Sequence, residues 1–165
     1  MINTYNLFAI PVFHGKLPVP VKIYNKILKY TDENCTDDKV KDTISCVKGF
    51  QIHDEFDGKK ELHIFLHNYL RNIYSFKPLN GWLNILGKGS YNKPHTHIGD
   101  EITHGGVLYL SNNNSNICFT REHEVFEITP KIFDYVIFPC ALLHYVLPGD
   151  NNSKRISYAF NLKKE

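Results

Sequence analysis

The spacing of apolar residues changes near residue 80, and no other feature constrains the fold of this chain as strongly. Up to that point apolar side chains recur at helical spacing. Beyond it they alternate with polar ones, and turn residues interrupt them often. The second half therefore predicts short β-strands over residues 82–86, 94–98, 105–110, 117–120, 124–128, 135–138, 144–147 and 155–162. Many short strands at regular spacing indicate a sandwich or a barrel.

Two helices are predicted ahead of these strands. Residues 19–30 carry apolar side chains at helical spacing, and residues 61–74 repeat them at i, i+3 and i+4, as in an amphipathic helix. Residues 5–14 are apolar and contain Pro11, which fits an extended or edge strand. Residues 31–43 are acidic and polar, so we expect a loop or a frayed helix there. The predicted fold class is α+β and mainly β.

Length and composition fit one domain. The chain has 165 residues, of which 42% are hydrophobic and 22% are charged, as is usual for a globular protein. We expect a single domain over residues 1–165, with a strand and supporting helices in residues 1–80 and a β-rich core in residues 81–165. A net charge of +2 without a block of Lys or Arg argues against a nucleic-acid partner. The sequence leaves the oligomeric state open, and a homodimer is one possibility.

The location of the protein is predicted from segments that the sequence lacks. The first residues have neither a basic start nor a long apolar run, so no secretory signal is visible. The longest apolar runs are much shorter than a membrane span. We therefore expect a cytoplasmic protein with no membrane partner, in which the cysteines are reduced thiols.

The feature that carries chemistry is His95-Thr96-His97, together with His144 in a later predicted strand. Side chains at positions i and i+2 of a strand project from the same face, so His95 and His97 can bind one metal ion. His144 follows the apolar segment 136–139 and could complete a site of three histidines. Such a site keeps coordination positions open, which is typical of a catalytic rather than a structural metal.

Two carboxylates follow this pair of histidines directly. Asp100 or Glu101 could supply a fourth ligand or replace one of the histidines. Alternatively, both are solvated residues of the loop that leads into the predicted strand 105–110. The sequence alone leaves the two possibilities open.

Arg155 and Ser157 alternate on one predicted strand, so both side chains can meet the same anion. A guanidinium is permanently charged and binds a carboxylate through two parallel hydrogen bonds, to which a serine hydroxyl adds a third. We predict that this pair binds a carboxylate near the metal site. The alternative is an ordinary surface arginine at the end of a strand.

Residues 82–162 as a whole resemble the Fe(II)- and 2-oxoglutarate-dependent oxygenases of the prolyl-hydroxylase-like type. The similarity is greatest to a small bacterial and phage group that carries HxH where most relatives carry HxD. The matching segments are Trp82-Leu83-Asn84, Pro94-His95-Thr96-His97, residues 105–110, Phe138-Pro139 with His144, and residues 155–161.

The resemblance implies a double-stranded β-helix (a cupin-like jelly roll) braced by N-terminal helices. It also implies Fe(II) held by His95, His97 and His144, and 2-oxoglutarate bound by Arg155 with help from Ser157. The implied enzyme is a dioxygenase, or hydroxylase, that uses O2 and couples oxidative decarboxylation of 2-oxoglutarate to oxidation of a substrate. The sequence does not identify that substrate.

The histidine triad departs from the usual pattern of the family. That pattern has two histidines and one carboxylate, and His97 stands where the carboxylate is usual. A neutral ligand leaves one more positive charge on the iron, which favours a dianionic cosubstrate. The departure leaves open whether Asp100 or Glu101 completes the triad, and whether the protein is active.

Three other functions would use the same residues. A cupin-type metal protein, acting as an isomerase, a dioxygenase or a metabolite-binding module, would bind its metal through His95, His97, Glu101 and His144. A zinc hydrolase or hydratase would hold a zinc-bound hydroxide on the three histidines. An interaction module would retain the site without turnover. The Arg155–Ser157 pair favours the oxygenase, because the cupin has no need of an anion clamp.

Overall fold

The structure, a computed structural model, describes residues 3–7, 10–36, 40, 42–112, 115–149 and 153–165, with residues 3–7 described by their backbone alone. Two helices and ten strands follow one another along these residues. In chain order they are β1 (Asn3–Leu7), β2 (Ile10–Lys16), α1 (Val21–Asn34), β3 (Cys46–Ile52), α2 (Asp57–Tyr74), β4 (Phe76–His95), β5 (His104–Tyr109), β6 (Ile117–Arg121), β7 (Glu124–Ile128), β8 (Asp134–Pro139), β9 (His144–Val146) and β10 (Arg155–Lys164).

The strands of the described residues form one curled antiparallel sheet. Its order is β1-β2-β8-β5-β10-β4-β9-β6-β7, and β3 pairs with β4 beside this path. The long strand β4 pairs with β10 along its first part and with β9 at its end, so it joins the two halves of the curl. The architecture is mainly β with two helices, as the sequence predicts, and it has the half-barrel form of a double-stranded β-helix.

Strand β10 separates the hydrophobic core from a polar cavity. Its side chains alternate, and one set packs among the helices in the largest hydrophobic cluster, namely Ile156, Tyr158, Phe160 and Leu162. The other set faces the inside of the curl and is mostly polar, namely Arg155, Ser157, Ala159 and Asn161. This alternation follows from the period of two in a strand, and it places the functional residues of β10 on one face.

The helices cover the outer face of the sheet. Leu62, Leu66 and Leu70 lie one turn apart on α2 and are fully buried, and Ile27 of α1 is buried in the same cluster. Burying an apolar stripe of this kind is the main contribution that helices make to such a core. This packing keeps β4 and β10 fixed from behind.

Both helices begin or end at residues that differ from the prediction. α1 starts after Pro20 and ends at Asn34. Its last four residues, 31–34, belong to the acidic segment for which the sequence predicts a loop or a frayed helix. α2 starts at Asp57, earlier than predicted, and ends before Ser75, whose φ of 54° is left-handed. The rest of segment 31–43 is partly outside the described residues, at positions 37–39 and 41.

The strands before residue 100 differ more from the prediction. The predicted strand 82–86 and the first two residues of the predicted strand 94–98 belong to the single strand β4, which ends at His95. Residues 96–98 lie beyond the strand, so His97 does not share a strand with His95 as predicted. Residues 87–89, of which two are glycines, predict a turn between these two strands, but they continue the strand, with Gly89 at a φ of +73°. β3 was not predicted, because a bulge at Lys48, whose φ is 52°, interrupts its alternation. The predicted strand 5–14 is the β1–β2 pair, with residues 8–9 outside the described part.

Candidate metal centre

Strands β4 and β9 bring two of the histidines together. His95 is the last residue of β4 and His144 is the first of β9, and the two are partners in the register. Their ring centroids lie 4.3 Å apart. His97 follows just beyond the end of β4, and its ring centroid lies 5.0 Å from that of His144. One ring nitrogen from each of the three histidines lies within 4.8 Å of the others.

Hydrogen bonds at Nδ1 determine which nitrogen of each ring is free. Nδ1 of His95 lies 2.7 Å from the carbonyl oxygen of Lys93, and Nδ1 of His144 lies 3.0 Å from that of Leu142. Nδ1 of His97 lies 2.6 Å from an oxygen of a side-chain amide. Since every partner is an oxygen acceptor, each Nδ1 donates its hydrogen, and each Nε2 keeps its lone pair. Rings held in this tautomer are ready to bind a metal.

Burial keeps these rings uncharged. Desolvation lowers the pKa of His144 well below its ordinary value, and the neighbouring His95 and His97 lower it further. Desolvation also lowers the pKa of His95 and of His97. Three neutral imidazoles are a donor set suited to iron, nickel, copper or zinc. The residues present therefore fit a transition metal ion.

Aromatic groups and one glycine shape the space around His97. Its ring is stacked against Trp82 at a centroid distance of 5.7 Å and meets the edge of Phe138 at 5.9 Å. A Cβ atom at Gly105 would lie 3.1 Å from Nδ1 of His97 and 2.9 Å from the Phe138 ring. The absence of a side chain at position 105 therefore makes room for the histidine.

Arg155 is a buried cation without a carboxylate partner. Its residue is 3% exposed, and Nη1 donates a hydrogen bond to Oγ of Ser157 over 3.1 Å, while Nε has no partner. Among the described residues, no Asp or Glu forms an ion pair with it. Burial lowers the pKa of Arg155, yet a guanidinium keeps its charge in proteins. An unpaired buried charge is unfavourable, so this environment favours an anionic ligand.

Tyr109 packs against this guanidinium without neutralising it. The Cζ atom of Arg155 lies 5.1 Å from the centroid of the Tyr109 ring, in the geometry of a cation–π contact. Burial raises the pKa of Tyr109 to about 12, so the phenol stays neutral. The aromatic face therefore contacts the guanidinium without compensating its positive charge. This charge stays available to an anionic ligand.

One narrow cavity connects the histidines with Arg155. It is lined by the three histidines, by Arg155 and Ser157, and between them by side chains such as Trp82 and Asn84. Nε1 of Trp82 and Oδ1 of Asn84 are buried and have no hydrogen-bond partner in the structure. Buried polar atoms are normally satisfied, so these two are consistent with a polar ligand in the cavity.

The carboxylates that follow His97 lie elsewhere. Glu101 is exposed and accepts a hydrogen bond from Nζ of Lys163 over 2.9 Å, and this lysine lowers the pKa of the Glu101 carboxyl. Asp100 is exposed as well. Neither residue is part of the histidine cluster in the described chain. The ligand set of a cupin, which needs Glu101 beside the histidines, is therefore not assembled.

Asn161, which accepts the hydrogen bond from His97, is not among the predicted site residues. A signal for it exists in the sequence. Asn161 lies on the same face of β10 as Arg155 and Ser157, so continuing the alternation of that strand would have pointed to it. Its contact with His97, by contrast, cannot be read from the spacing.

Comparison with known proteins gives matches of structure only. No family model matches the chain, and no curated protein matches it. A prolyl-4-hydroxylase from Pseudomonas putida has a TM-score of 0.59 and 12% identity, over 97% of this chain and 96% of that one. HygX from Streptomyces hygroscopicus, with nickel, 2-oxoglutarate and hygromycin B bound, has a TM-score of 0.66 and 10% identity, over 92% and 82% of the chains. A prolyl hydroxylase from Trichoplax adhaerens, in complex with a hypoxia inducible factor peptide, has a TM-score of 0.65 and 12% identity, over 93% and 83%.

These matches define the class of fold. The protein has the fold of the 2-oxoglutarate- and Fe(II)-dependent oxygenases, and prolyl hydroxylases are among the structures that share it. The resemblance inferred from the sequence is thereby confirmed at the level of the fold. The triad of His95, His97 and His144 lies at a buried site within it.

Separately, no helix in the described part of the chain is long and apolar enough to cross a membrane.

Proposed function

We propose that the protein is an Fe(II)- and 2-oxoglutarate-dependent dioxygenase that hydroxylates a second substrate. The observation that carries this proposal is the shared cavity of three neutral histidines and one unpaired buried cation, Arg155. A metal triad alone would fit several chemistries. A carboxylate-binding arginine in the same cavity is what an enzyme with a dicarboxylate cosubstrate requires.

Charge favours this cosubstrate. Three neutral ligands leave both charges of a divalent ion uncompensated, and Arg155 adds a third positive charge in the same cavity. The 2-oxoglutarate dianion carries a carboxylate at each end and matches both positions. Among the matched structures, that of HygX holds nickel and 2-oxoglutarate.

The protein side chains have distinct roles in this proposal. His95, His97 and His144 would hold the ion through Nε2. Arg155 and Ser157 would bind the distal carboxylate, the guanidinium by two parallel hydrogen bonds and the hydroxyl by a third. The cavity around them is narrow and partly apolar, which limits the access of water.

The balance of the reaction is that of a coupled oxidation. Bound Fe(II) would supply the chemistry with O2, to which 2-oxoglutarate and the substrate would each give two electrons. One oxygen atom would end in succinate, formed with CO2 from 2-oxoglutarate, and the other would be inserted into a C–H bond of the substrate. The chain itself would supply binding, orientation and a narrow cavity that limits the access of water.

Anaerobic binding tests the proposal. Purified protein is loaded with Fe(II) and titrated with 2-oxoglutarate without oxygen, and the expected result is a visible iron-to-oxoglutarate charge-transfer band. The Arg155→Gln variant should lose most of the 2-oxoglutarate affinity, by about 2–5 kcal/mol, because a buried charge pair loses one partner. The matched control is Arg71→Gln, which removes an exposed arginine that pairs with Glu165 at the surface.

Three outcomes contradict the proposal. The first is a folded, iron-loaded protein without the band. The second is an equal effect of the two arginine variants. The third is a purified protein that contains zinc and hydrolyses a substrate without 2-oxoglutarate, which would instead support the zinc hydrolase.

A further inference from the structure

His97 differs from the other two histidines in the group that holds its Nδ1. His95 and His144 each bond to the backbone carbonyl two residues earlier, so the local backbone fixes both rings. His97 bonds instead to Oδ1 of Asn161, a side chain that comes from a different strand. The orientation of His97 therefore depends on an amide that could rotate.

A second asparagine holds this amide. Nδ2 of Asn161 donates a hydrogen bond to Oδ1 of Asn80 over 2.9 Å. An amide has an oxygen at one end and an NH2 group at the other, so this bond leaves the oxygen of Asn161 on the side of His97. With the opposite orientation, the NH2 group would face Nδ1 and favour a hydrogen on Nε2, where it would block metal binding.

We propose that Asn161 is a positioning residue that holds His97 in the metal-binding tautomer, with Asn80 as the residue that orients Asn161. This inference rests on the proposed metal site, because it assigns a role toward the ion that the histidines would bind. The 2.6 Å contact between His97 and Asn161 lies in a buried environment, where a hydrogen bond is strong and its loss is unfavourable.

The nature of the acceptor gives the proposal its test. If Asn161 acts as the acceptor for Nδ1–H, any side chain of the same shape with an oxygen at that point should serve. Asp keeps the oxygen and adds a negative charge, which makes the imidazole a stronger ligand. Leu keeps the shape and removes the oxygen. If Asn161 were only a packing residue, a buried Asp would be at least as harmful as Leu.

Cobalt binding distinguishes these cases. The metal-free protein is titrated with Co(II) at mildly alkaline pH, and the d–d absorption of the complex reports affinity and geometry. The Asn161→Leu variant should bind Co(II) about 10–100-fold more weakly and with an altered spectrum. The Asn161→Asp variant should bind at least as tightly as the wild type. Thermal unfolding of each metal-free variant shows whether it is folded.

Asn80 supplies a variant that spares the core, because this residue is exposed. The Asn80→Leu variant removes the acceptor that orients Asn161, so it should weaken Co(II) binding by less than Asn161→Leu does, about two- to tenfold. If the Asn161→Leu variant does not fold, Asn161→Asp tests the role of Asn161, and a Co(II) affinity below that of the wild type then overturns it. Wild-type affinity in Asn80→Leu overturns the role of Asn80.

The remaining outcomes separate this inference from the proposed function. Unchanged Co(II) binding by folded Asn161→Leu overturns the inference, and so does an Asn161→Asp variant as weak as Asn161→Leu. A His97→Ala variant is titrated in parallel. If it binds Co(II) like the wild type, or if the wild type binds none, then the metal site itself is wrong. If His97→Ala loses binding and the Asn161 variants do not, only the inference fails.

Discussion

His95 and His144 face each other as partners across two antiparallel strands, with their ring centroids 4.3 Å apart. β9 is only three residues long, so few backbone hydrogen bonds hold it against the end of β4. A metal ion bound by both rings would connect the two strands at this point. Metal binding at this pair would therefore add to the stability of the fold.

The first prediction is that a divalent metal ion stabilises the protein. At a free concentration 100 times the Kd, binding to the folded state alone contributes about 2.7 kcal/mol. Differential scanning calorimetry with and without Co(II) should show a higher Tm for the metal-bound wild type and no shift for His144→Ala. Equal shifts in the two proteins would place the bound metal elsewhere.

The second prediction concerns the space that Gly105 leaves for His97. In Gly105→Ala, the new Cβ would meet the Phe138 ring at 2.9 Å and Nδ1 of His97 at 3.1 Å, so one of them must shift. We expect a loss of about 1–3 kcal/mol in the free energy of unfolding, together with weaker metal binding. Gly87→Ala is the control, because its Cβ would have a single neighbour at 3.9 Å. Similar losses in both variants would show that the contact with His97 is unimportant.

The third prediction is that the charge of Arg155 serves binding at the expense of stability. The guanidinium is buried without a carboxylate, so the folded state carries an uncompensated desolvation cost. Arg155→Met keeps much of the apolar volume. It should leave the free energy of unfolding of the metal-free protein unchanged or raise it by about 1–2 kcal/mol. Binding of 2-oxoglutarate should be lost.

Urea denaturation and a 2-oxoglutarate titration check these two effects. The exposed Arg71→Met is the control and should stay within about 0.5 kcal/mol of the wild type. A strongly destabilised Arg155→Met variant would mean that favourable contacts within the protein already compensate the guanidinium charge. The charge would then not favour the binding of an anion.

The fourth prediction is a dependence of stability on pH through His63. This side chain of α2 lies in contact with β10, where its Nδ1 is 2.8 Å from the hydroxyl of Tyr158, and desolvation lowers its pKa. The folded state therefore binds a proton less readily than the unfolded state. The contribution of His63 is complete above an ordinary histidine pKa of about 6.5 and is lost as the pH falls through the lowered pKa.

Comparison with His63→Gln isolates this contribution from those of the other buried histidines. The free energy of unfolding is measured for both proteins, metal-free, from neutral to mildly acidic pH. The advantage of the wild type over His63→Gln should shrink as the pH falls. A difference that stays constant over this range would show that His63 does not titrate with a lowered pKa.

The metal and anion residues could be predicted because their signals are local. His95 and His97 lie two positions apart in the sequence, and the pair Arg155 and Ser157 follows from the alternation of a single strand. The structure places all four with His144 around one cavity. Their roles as metal ligands and anion-binding residues stay predictions.

The fold class and five of the residues around the cavity could be predicted from local patterns, because hydrophobic period and residue chemistry act within a few positions of each other. The unity of β4 is evident only in the folded protein, where β10 pairs with residues 76–86 and β3 pairs with residues on either side of the glycines, 83–86 and 91–92. The tertiary structure also decided that Glu101 pairs with Lys163 outside the triad, and that Asn161 accepts the hydrogen bond of His97. Such contacts join residues more than 60 positions apart. They depend on which distant segments come together in the sheet, which the alternation within a single strand does not specify.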